Sequence, residues 1–526
     1  MKVLLRQIHI PTFLICCVSM FSTSLSHMEI ARSVSRNWTF LALGFMCVWC
    51  AVSVVGNRSF VAHPKQATRS FLLIGLIETM VALMQFMRII PSNNPFFRFT
   101  GTFDNPAVLG MMSAFCFSIS LCLIKESAAW QKRLWCVFAL FAAACVLSSS
   151  SRASILACIC SAAAFLSFED HVRSWLQKSR NRWTIASFLL LLLVAFYLWK
   201  RESADGRILM WKVSLDMIAD KPLFGWGRDG FGASYMPYQA AYFLRHPDSK
   251  FLYLADNAFH PFNEYLLFTI KYGIIGLLAL MAFLIFMVKN ILAMGGFNKI
   301  LCLHLCIVLG VLSMFSYPFA IHFVWVISAY VIFYVLCDMG LRHVHRAVLI
   351  VIPMVCLAFI FVENRNIIKE WQWVKVQDRL RYADASETLA EYDKLYGSLK
   401  DNPSFLYNYA AALHYHGRYE ESLKVFRECM VKCNDYNVQM LMADDYKQLG
   451  MKHEALDAFE YANRMIPCRF LPLYYEMKTC MEQGDSIRGL AIAERIVSKP
   501  VKISDAPSVM KIVREAREYL NGKTER

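Results

Sequence analysis

Three arginines stand in polar stretches between the long apolar runs of this 526-residue sequence. Arg152 lies in SSSSRAS, Arg207 in DGRILMW and Arg228 in WGRDG. A guanidinium group keeps its charge at physiological pH and offers paired N–H donors that match phosphate oxygens. These side chains are therefore candidates to bind a diphosphate group. An arginine at the end of a membrane helix also commonly reaches toward lipid headgroups, and this alternative stays open for Arg152.

The segment HPFNEYLLF carries the residues that could accept a proton. His260 belongs to the residue type that titrates near neutral pH, and Glu264 is a carboxylate four residues later. Either side chain could serve as a general base. Asn263, between them, is a candidate to support the loop. A single histidine in a loop is more often incidental, so this assignment has a structural alternative.

The stretch FRFTGTFDNPAVLG at 97–110 combines Gly, Asp, Asn and Pro just before an apolar run. A turn of this kind offers exposed backbone N–H groups, and the N-terminus of the following helix adds more, which suits an anion. Asp104 and Asn105 are expected to support the turn. A plain interhelical turn is the alternative.

An amphipathic helix is predicted at the start of the largest polar loop. Arg207, Trp211, Leu215 and Ile218 recur at spacings of three and four, which places them on one helical face. Such a helix would lie on the membrane surface, end at the KPLFGWGRDG turn and hold the Arg207 guanidinium at headgroup height. Trp211 is expected to support the loop. A purely structural lipid-surface anchor is the alternative.

Composition indicates an integral membrane protein with a polar region attached. Hydrophobic residues make up 57% of the chain, charged residues 18%, and the mean hydropathy is +0.39, which is too apolar for a soluble protein of this length. The formal net charge of +15 is spread over short loops and the C-terminal region, so no basic tract indicates nucleic acid binding. Contact with anionic membrane lipids or phosphate explains the excess better. No cofactor and no metal are expected, because no His and carboxylate cluster has ligand spacing.

Eleven apolar runs are long enough to cross a hydrocarbon core of about 30 Å. They lie near 9–26, 38–55, 70–90, 107–124, 134–148, 153–168, 184–199, 264–288, 300–314, 319–337 and 346–362. Lys and Arg are concentrated in alternate short loops, and basic loops stay cytoplasmic. The sequence therefore predicts a multi-pass protein with a cytoplasmic N-terminus and with both the 201–262 loop and the C-terminal region on the outer side.

The C-terminal region has a different period. Gly417, Gly450 and Gly484 recur 33 and 34 residues apart, which resembles tetratricopeptide repeats, each a helix, a tight turn at the Gly and a second helix. Stacked units of this kind form a superhelix whose concave face can bind a protein partner. An ordinary helical bundle is the alternative. The predicted fold is therefore all-α, with a membrane domain at 1–365 and a helical-repeat domain at 366–526.

Over roughly residues 70–340 the chain resembles the O-antigen ligase and polymerase superfamily. The likeness rests on GTFDNP, SSSSRAS, the Gly206 and Arg207 pair with Trp211, KPLFGWGRDGF, and FNEYL ahead of a glycine-containing helix. Members are bacterial inner-membrane enzymes that move glycans off a polyprenyl diphosphate carrier, and a large outer loop between two spans holds their active site. The resemblance implies that Arg207, and next Arg152, engages the diphosphate.

The chain departs from the family pattern close to the expected base. The family places a histidine just before the Asn of its motif, where this sequence has Phe262, and His260 lies two residues earlier. The acidic residue often found before the helix glycine is Lys271 here. Either His260 substitutes as the base, or the base is another group such as Glu264 or Asp256, or the activity is changed or lost.

The resemblance implies displacement at the anomeric carbon of a lipid-linked sugar, with polyprenyl diphosphate as the leaving group. The acceptor would be lipid A core for a ligase of lipopolysaccharide biosynthesis, a glycan repeat for a polymerase, or an exported protein for an oligosaccharyltransferase. A non-catalytic membrane scaffold that gathers partners through its repeats is a different class. A transporter is disfavoured because no span carries paired buried charges.

Overall fold

The computed structural model describes residues 64–167, 172, 174–175, 178–338, 358, 366–379, 385–501 and 506–524, and all regular elements in these ranges are helical. The helices, numbered in chain order over these ranges, are α1 Pro64–Phe86, α2 Pro106–Lys125, α3 Ala129–Ser148, α4 Arg152–Ser167, α5 Ser179–Trp199, α6 Arg201–Asp220, α7 Gly230–Arg245, α8 Glu264–Ala293, α9 Gly296–Phe315, α10 His322–Asp338, α11 Ile367–Arg379, α12 Ala385–Leu399, α13 Pro403–Tyr415, α14 Tyr419–Met430, α15 Tyr436–Gln448, α16 Lys452–Met465, α17 Leu471–Gln483, α18 Ser486–Ser498 and α19 Pro507–Thr524. Short 3₁₀ turns lie at Leu252–Leu254 and Pro318–Ala320.

Five of these helices are long and apolar enough to cross a membrane: Thr68–Phe86 within α1, and α2, α3, α8 and α9. Shorter apolar helices lie at Arg152–Ser167, Ala186–Trp199 and His322–Ile332. Each of the eight predicted spans between 70 and 337 therefore coincides with an apolar helix, and the chain is a multi-pass membrane protein. The predicted spans at 9–26 and 38–55, and nearly all of that at 346–362, lie outside the described residues, so the total of eleven stays a prediction.

The chain divides into two compact units that do not follow chain order. The bundle unit comprises the described parts of Met1–Phe196, Phe262–Glu264 and Ala279–Val374, and the loop-repeat unit comprises those of Tyr197–Pro261, Tyr265–Leu278 and Lys375–Arg526. The sequence pattern grouped the 201–262 loop with the membrane helices, as part of 1–365. In the structure the loop and the C-terminal helices share one apolar core, and the domain boundaries at 1–365 and 366–526 stay a prediction.

The core of the bundle unit is built around α2. Leu109, Met111, Ala114 and Phe115 on this helix are completely buried. The ring of Phe115 also packs edge-on against Phe323 of α10, with ring centroids 6.3 Å apart. Burial on nearly all sides explains why the sequence of α2 is apolar throughout rather than along one stripe.

A chain of hydrogen bonds crosses this core. The Ser118 hydroxyl of α2 donates to Ser161 Oγ of α4 at 2.7 Å, and Ser161 Oγ lies 2.8 Å from Nδ1 of His304 on α9. All three side chains are buried. Polar bonds of this kind hold membrane helices together where apolar packing cannot distinguish a helix from lipid.

The core of the loop-repeat unit combines the loop with the C-terminal helices. Leu209, Val213 and Met217, four residues apart on α6, form its loop side. Its other side includes buried residues from α15, α16 and the turn after α16: Tyr436, Ala462, Met465 and Ile466. The helix predicted at Arg207 is thus confirmed as α6. Its opposite face remains open, with Leu215 56% exposed.

The C-terminal helices come in hairpins at the predicted glycines. Gly417, Gly450 and Gly484 separate α13 from α14, α15 from α16 and α17 from α18, with φ of 74°, 75° and 74°. This left-handed conformation favours glycine, since a side chain would clash with the backbone. The predicted order of helix, glycine turn and helix is confirmed for these three units. Their assignment to tetratricopeptide repeats stays a proposal.

Candidate active site

The GTFDNP turn is held from α1 by two side chains. Gln85 Oε1 accepts hydrogen bonds from the N–H groups of Thr100 and Gly101 at 2.8 and 2.9 Å. Glu78 accepts from the Thr102 N–H at 2.9 Å and from its hydroxyl at 2.8 Å. Three of the backbone N–H groups that could bind an anion in this stretch, those of Thr100, Gly101 and Thr102, therefore already donate to protein side chains.

Asn105 caps the helix that follows the turn. Its side chain caps α2 by accepting from the Ala107 N–H at 2.8 Å, and Pro106 takes the first helical position, where no N–H is needed. Asp104 lies partly exposed just before it. This capping fixes the start of α2, so the turn enters the helix at one defined residue.

Glu78 and Gln85 were missed in the sequence. Both are about 4% exposed or less and lie seven residues apart, which is two helical turns, so they share one face of α1. The signal was present, because a carboxylate inside an otherwise apolar span normally has a buried polar partner. The sequence did not reveal that the partner was the backbone of the next loop.

The SSSSRAS turn packs directly against α2. A Cβ placed on Gly110 would lie 3.0 Å from Cβ of Ser149, so only a residue without a side chain allows this approach. Arg152 begins α4, and its Nη1 group donates to the carbonyl oxygen of Phe196, in α5, at 2.7 Å. Arg152 is partly buried. The structure thus places the stretch at 97–110 beside the SSSSRAS turn, and Arg152 contacts α5.

The FNE segment contacts the turn between α9 and α10. Glu264 Oε1 accepts a hydrogen bond from the Phe319 N–H at 3.1 Å. The ring of Phe262 packs edge-on against Tyr317 with centroids 5.2 Å apart. Phe262 also has φ of 54°, a conformation that a bulky side chain rarely adopts. Asn263 is partly buried between these two anchored residues.

In the loop-repeat unit, Trp211 ties the Arg207 helix to the His260 segment. The indole N–H of Trp211 donates to the carbonyl oxygen of Pro261 at 2.9 Å. Arg207 precedes Trp211 by four residues on α6, so the two lie on the same helical face. His260 directly precedes Pro261, and both His260 and Arg207 are partly buried. The candidate diphosphate-binding cation and the candidate base therefore lie on two segments joined by one hydrogen bond.

The KPLFGWG stretch lies along a break in α8. Gly273 interrupts the helix with φ of 68° and ψ of −172°. The two segments exchange four backbone hydrogen bonds, Trp226 N–H to Ile270 O, Gly227 N–H to Lys271 O, Ile274 N–H to Pro222 O and Ile275 N–H to Leu223 O. Arg228 follows on an exposed turn. The loop is thus fixed against α8, and Arg228 projects from the fixed segment.

The His260 segment also contacts the C-terminal helices. Asp256 pairs with Arg469 at 2.8 Å, and the Asn257 side chain donates to Asp435 at 3.3 Å. The Arg469 guanidinium lies 4.5 Å from the ring centre of Tyr436, and burial raises the pKa of Tyr436 to about 12, so this ring stays neutral beneath the cation. No sequence pattern predicted these long-range contacts.

Among the residues with described positions, no group of three or more His, Cys, Asp or Glu side chains is arranged to hold a metal ion. The candidate cations belong to both units: Arg152 lies on α4 of the bundle unit, and Arg207 and Arg228 lie on α6 and in the turn after α6 of the loop-repeat unit.

Comparison with known proteins finds one family match, which covers part of the chain. Residues 136–281 match the family model described as O-Antigen ligase. This range includes Arg152, the whole 201–262 loop and the break in α8, and it ends before the C-terminal helices. No curated protein matches the chain. The chain is therefore a multi-pass membrane protein that contains an O-Antigen ligase family domain at residues 136–281.

Proposed function

We propose that this protein transfers a glycan from a polyprenyl diphosphate carrier to an acceptor on the outer face of the bacterial inner membrane. The observation that supports this most is the hydrogen bond from Trp211 to Pro261. It joins the helix that carries Arg207 to the segment that carries His260, inside the range that matches the family. A diphosphate-binding cation and a proton acceptor on joined segments are what this transfer requires.

The reaction is a displacement at the anomeric carbon. A lone pair of an acceptor hydroxyl oxygen forms the new bond to that carbon, and the carbon–oxygen bond to the diphosphate breaks, with its electron pair leaving on the phosphate oxygen. The hydroxyl proton passes to the base. Diphosphate is a good leaving group, so the protein mainly neutralises its charge and orients the attacking oxygen.

Arg207 has the central role in binding the diphosphate, with Arg152 and Arg228 as further cations. Arg207 lies on the helix that Trp211 fixes, so the backbone position from which its guanidinium extends is defined, and a guanidinium offers paired donors to phosphate oxygens. Arg152 donates one hydrogen bond to the Phe196 carbonyl oxygen, and a guanidinium carries a charge that suits an oxyanion.

His260 is the proposed base, and Glu264 positions the segment that follows it. Glu264 Oε1 accepts a hydrogen bond from the Phe319 backbone, which fixes Phe262–Glu264 against the turn between α9 and α10. His260 precedes that anchored segment by two residues in the chain. An imidazole there takes the place of the family histidine, whose position Phe262 occupies in a strained conformation.

The distribution of basic side chains between the two ends of the bundle unit supports the proposed orientation in the membrane. One end gathers the turns of the GTFDNP, SSSSRAS and FNE stretches. The opposite end carries basic side chains, including Lys65, which pairs with Glu126 at 3.2 Å, and Arg69, which lies over the ring of Trp135. Basic ends stay cytoplasmic, so the end with the motifs faces outward.

The acceptor is tested by reconstitution. Purified protein is incubated with labelled lipid-linked glycan and, separately, with lipid A core, a glycan repeat or an exported polypeptide. Transfer to one of these acceptors, with release of carrier diphosphate, identifies a ligase, a polymerase or an oligosaccharyltransferase. Release in none of the mixtures, from protein that is folded and inserted, contradicts the enzymatic proposal and favours a scaffold.

A further inference from the structure

The three residues that begin the His260 segment each contact the C-terminal helical region. The carbonyl oxygen of Ala255 accepts from the Cys468 thiol at 3.5 Å. Asp256 and Asn257 follow with their bonds to Arg469 and Asp435, and the Asn257 side chain also accepts from the Tyr436 N–H at 3.3 Å. Three consecutive residues are thus bound by a region more than 170 positions later in the chain, since Asn257 and Asp435 are 178 positions apart.

Gln239 joins the same elements from inside the core. Its side chain is 1% exposed. Its Nε2 donates to the carbonyl oxygen of Met465 at 2.7 Å and to that of Asp256 at 3.3 Å, and its Oε1 accepts from the Tyr235 hydroxyl at 3.0 Å. One buried amide on α7 therefore links the end of α16 to the segment that leads to His260.

Apolar packing makes this junction part of a folded core. Met465 and Ile466 are completely buried in one cluster with Tyr235 and Met236 of the loop. The C-terminal helices are therefore part of the loop's own hydrophobic core.

We infer that the C-terminal helices position the His260 segment for catalysis, with Gln239 and Arg469 as positioning residues. This rests on the proposed function, in which His260 is the base. The segment is held at its start by the C-terminal region, through residues 255–257, and at its end by Trp211, through Pro261. A change at the repeats, including binding of a partner there, is transmitted to His260 through residues 258 and 259, which separate it from the bound residues.

The test uses full-length protein in lipid nanodiscs and a charge exchange. Arg469→Glu places a carboxylate against Asp256, Asp256→Arg places two cations together, and the double variant restores an ion pair. Arg495→Glu is the matched control, because Arg495 has a similar exposure, 47% against 40%, and pairs with Glu460 away from the loop. Hydrogen exchange of a peptide covering 255–261 reports the position of the segment, and steady-state kinetics report turnover.

Each single change at the 256–469 pair is expected to raise exchange in this peptide about threefold or more, as contacting residues usually couple that strongly. Turnover should fall by a similar factor with KM for the lipid-linked glycan unchanged, and the double variant should recover both. Gln239→Leu should show the same pattern, and Arg495→Glu should show neither change. Arg469 is a partly exposed residue, so its replacement leaves folding intact even if Gln239→Leu does not.

Wild-type exchange and wild-type turnover in Arg469→Glu would overturn the inference, as would a loss that the double variant fails to recover. A gain in exchange without a change in turnover would also overturn it, since the segment would then move without affecting catalysis. If wild-type protein transfers no glycan to any acceptor, the proposed function fails and catalytic positioning fails with it, whereas an active wild type with unaffected variants removes the positioning role alone.

Discussion

Replacing Gly225 by alanine should release the KPLFGWG stretch from α8. Gly225 has φ of 70°, and an added Cβ would lie 2.5 Å from the Ile270 carbonyl oxygen and 2.7 Å from the Gly273 nitrogen. The left-handed conformation costs a non-glycine residue about 1–2 kcal/mol, and overpacking adds about 1–3 kcal/mol. The four backbone hydrogen bonds beside Gly225, worth about 0.5–1.5 kcal/mol each, would also be strained. The free energy of unfolding should therefore fall by about 3–5 kcal/mol.

Gly227→Ala separates the two causes. Gly227 has φ of 82°, but nothing lies within 4 Å of an added Cβ. The free energy of unfolding of this variant should therefore fall only by the cost of the left-handed conformation, about 1–2 kcal/mol. At roughly 2–4 °C per kcal/mol for a unit of this size, the melting temperature should fall by roughly 6 °C or more for Gly225→Ala and by clearly less for Gly227→Ala.

The assay is thermal unfolding of both variants and the wild type in the same detergent, with glycan transfer measured on the folded protein. Equal melting temperatures for Gly225→Ala and Gly227→Ala would refute the reasoning, because a clash between the added Cβ of residue 225 and α8 would then not affect stability. Transfer should fall with Gly225→Ala, since the Arg228 turn and the end of α6 both depend on this contact.

Two further predictions concern the loop and the repeats. Trp211→Phe removes the indole donor to the Pro261 carbonyl oxygen, so turnover should fall about threefold to tenfold, the factor expected from losing about 1 kcal/mol of a positioning bond. His414 is hydrogen-bonded to Asp445 at 2.7 Å and faces Asp444 at 3.5 Å, and these contacts raise its pKa above 6.5. The pKa of His414 is therefore higher in the folded than in the unfolded protein, so its protonation stabilises the fold fully below about pH 6.5 and stabilises it less as the pH rises through the folded pKa. Melting curves from pH 6 to pH 9 should show this loss of stability.

Exposed residues of the same types provide the controls. Trp130 is 66% exposed on α3, so Trp130→Phe should leave turnover unchanged. His453→Asn alters an exposed histidine and should keep the pH dependence, whereas His414→Asn should flatten it. Equal turnover in both tryptophan variants, or an unchanged pH profile in His414→Asn, would show that these two buried contacts do not act as described.

Local patterns predicted the helices of this fold well. The apolar runs between 70 and 337 each coincide with a helix, and the glycine period of the C-terminal region gives the hairpin turns. These features depend on neighbouring residues, because a helix needs only its own hydrogen bonds and an apolar face. The Asn105 cap and the end of α6 before Pro222 were predictable for the same reason.

The contacts between distant segments were not predictable from one sequence. The apolar face of α6 looks the same whether it meets lipid, a membrane helix or α16, so the pattern could not assign Leu209 and Val213 to a core shared with the C-terminal region. Glu78 was visible as a carboxylate in an apolar run, but its partner is a backbone group, which has no sequence signature. The strained Phe262 likewise shows only in the backbone.

Binding of the carrier diphosphate by Arg207 is tested most directly by product inhibition. Polyprenyl diphosphate and polyprenyl monophosphate are compared as inhibitors of glycan transfer by wild type, Arg207→Lys, Arg207→Ala and the control Arg245→Ala, whose arginine pairs with Asp216 on the same loop. The wild type and the control should prefer the diphosphate by about tenfold or more, as a charge-assisted contact worth about 1.5–3 kcal/mol requires. Arg207→Ala should lose that preference and Arg207→Lys should keep part of it, whereas an undiminished preference in Arg207→Ala would contradict the assignment.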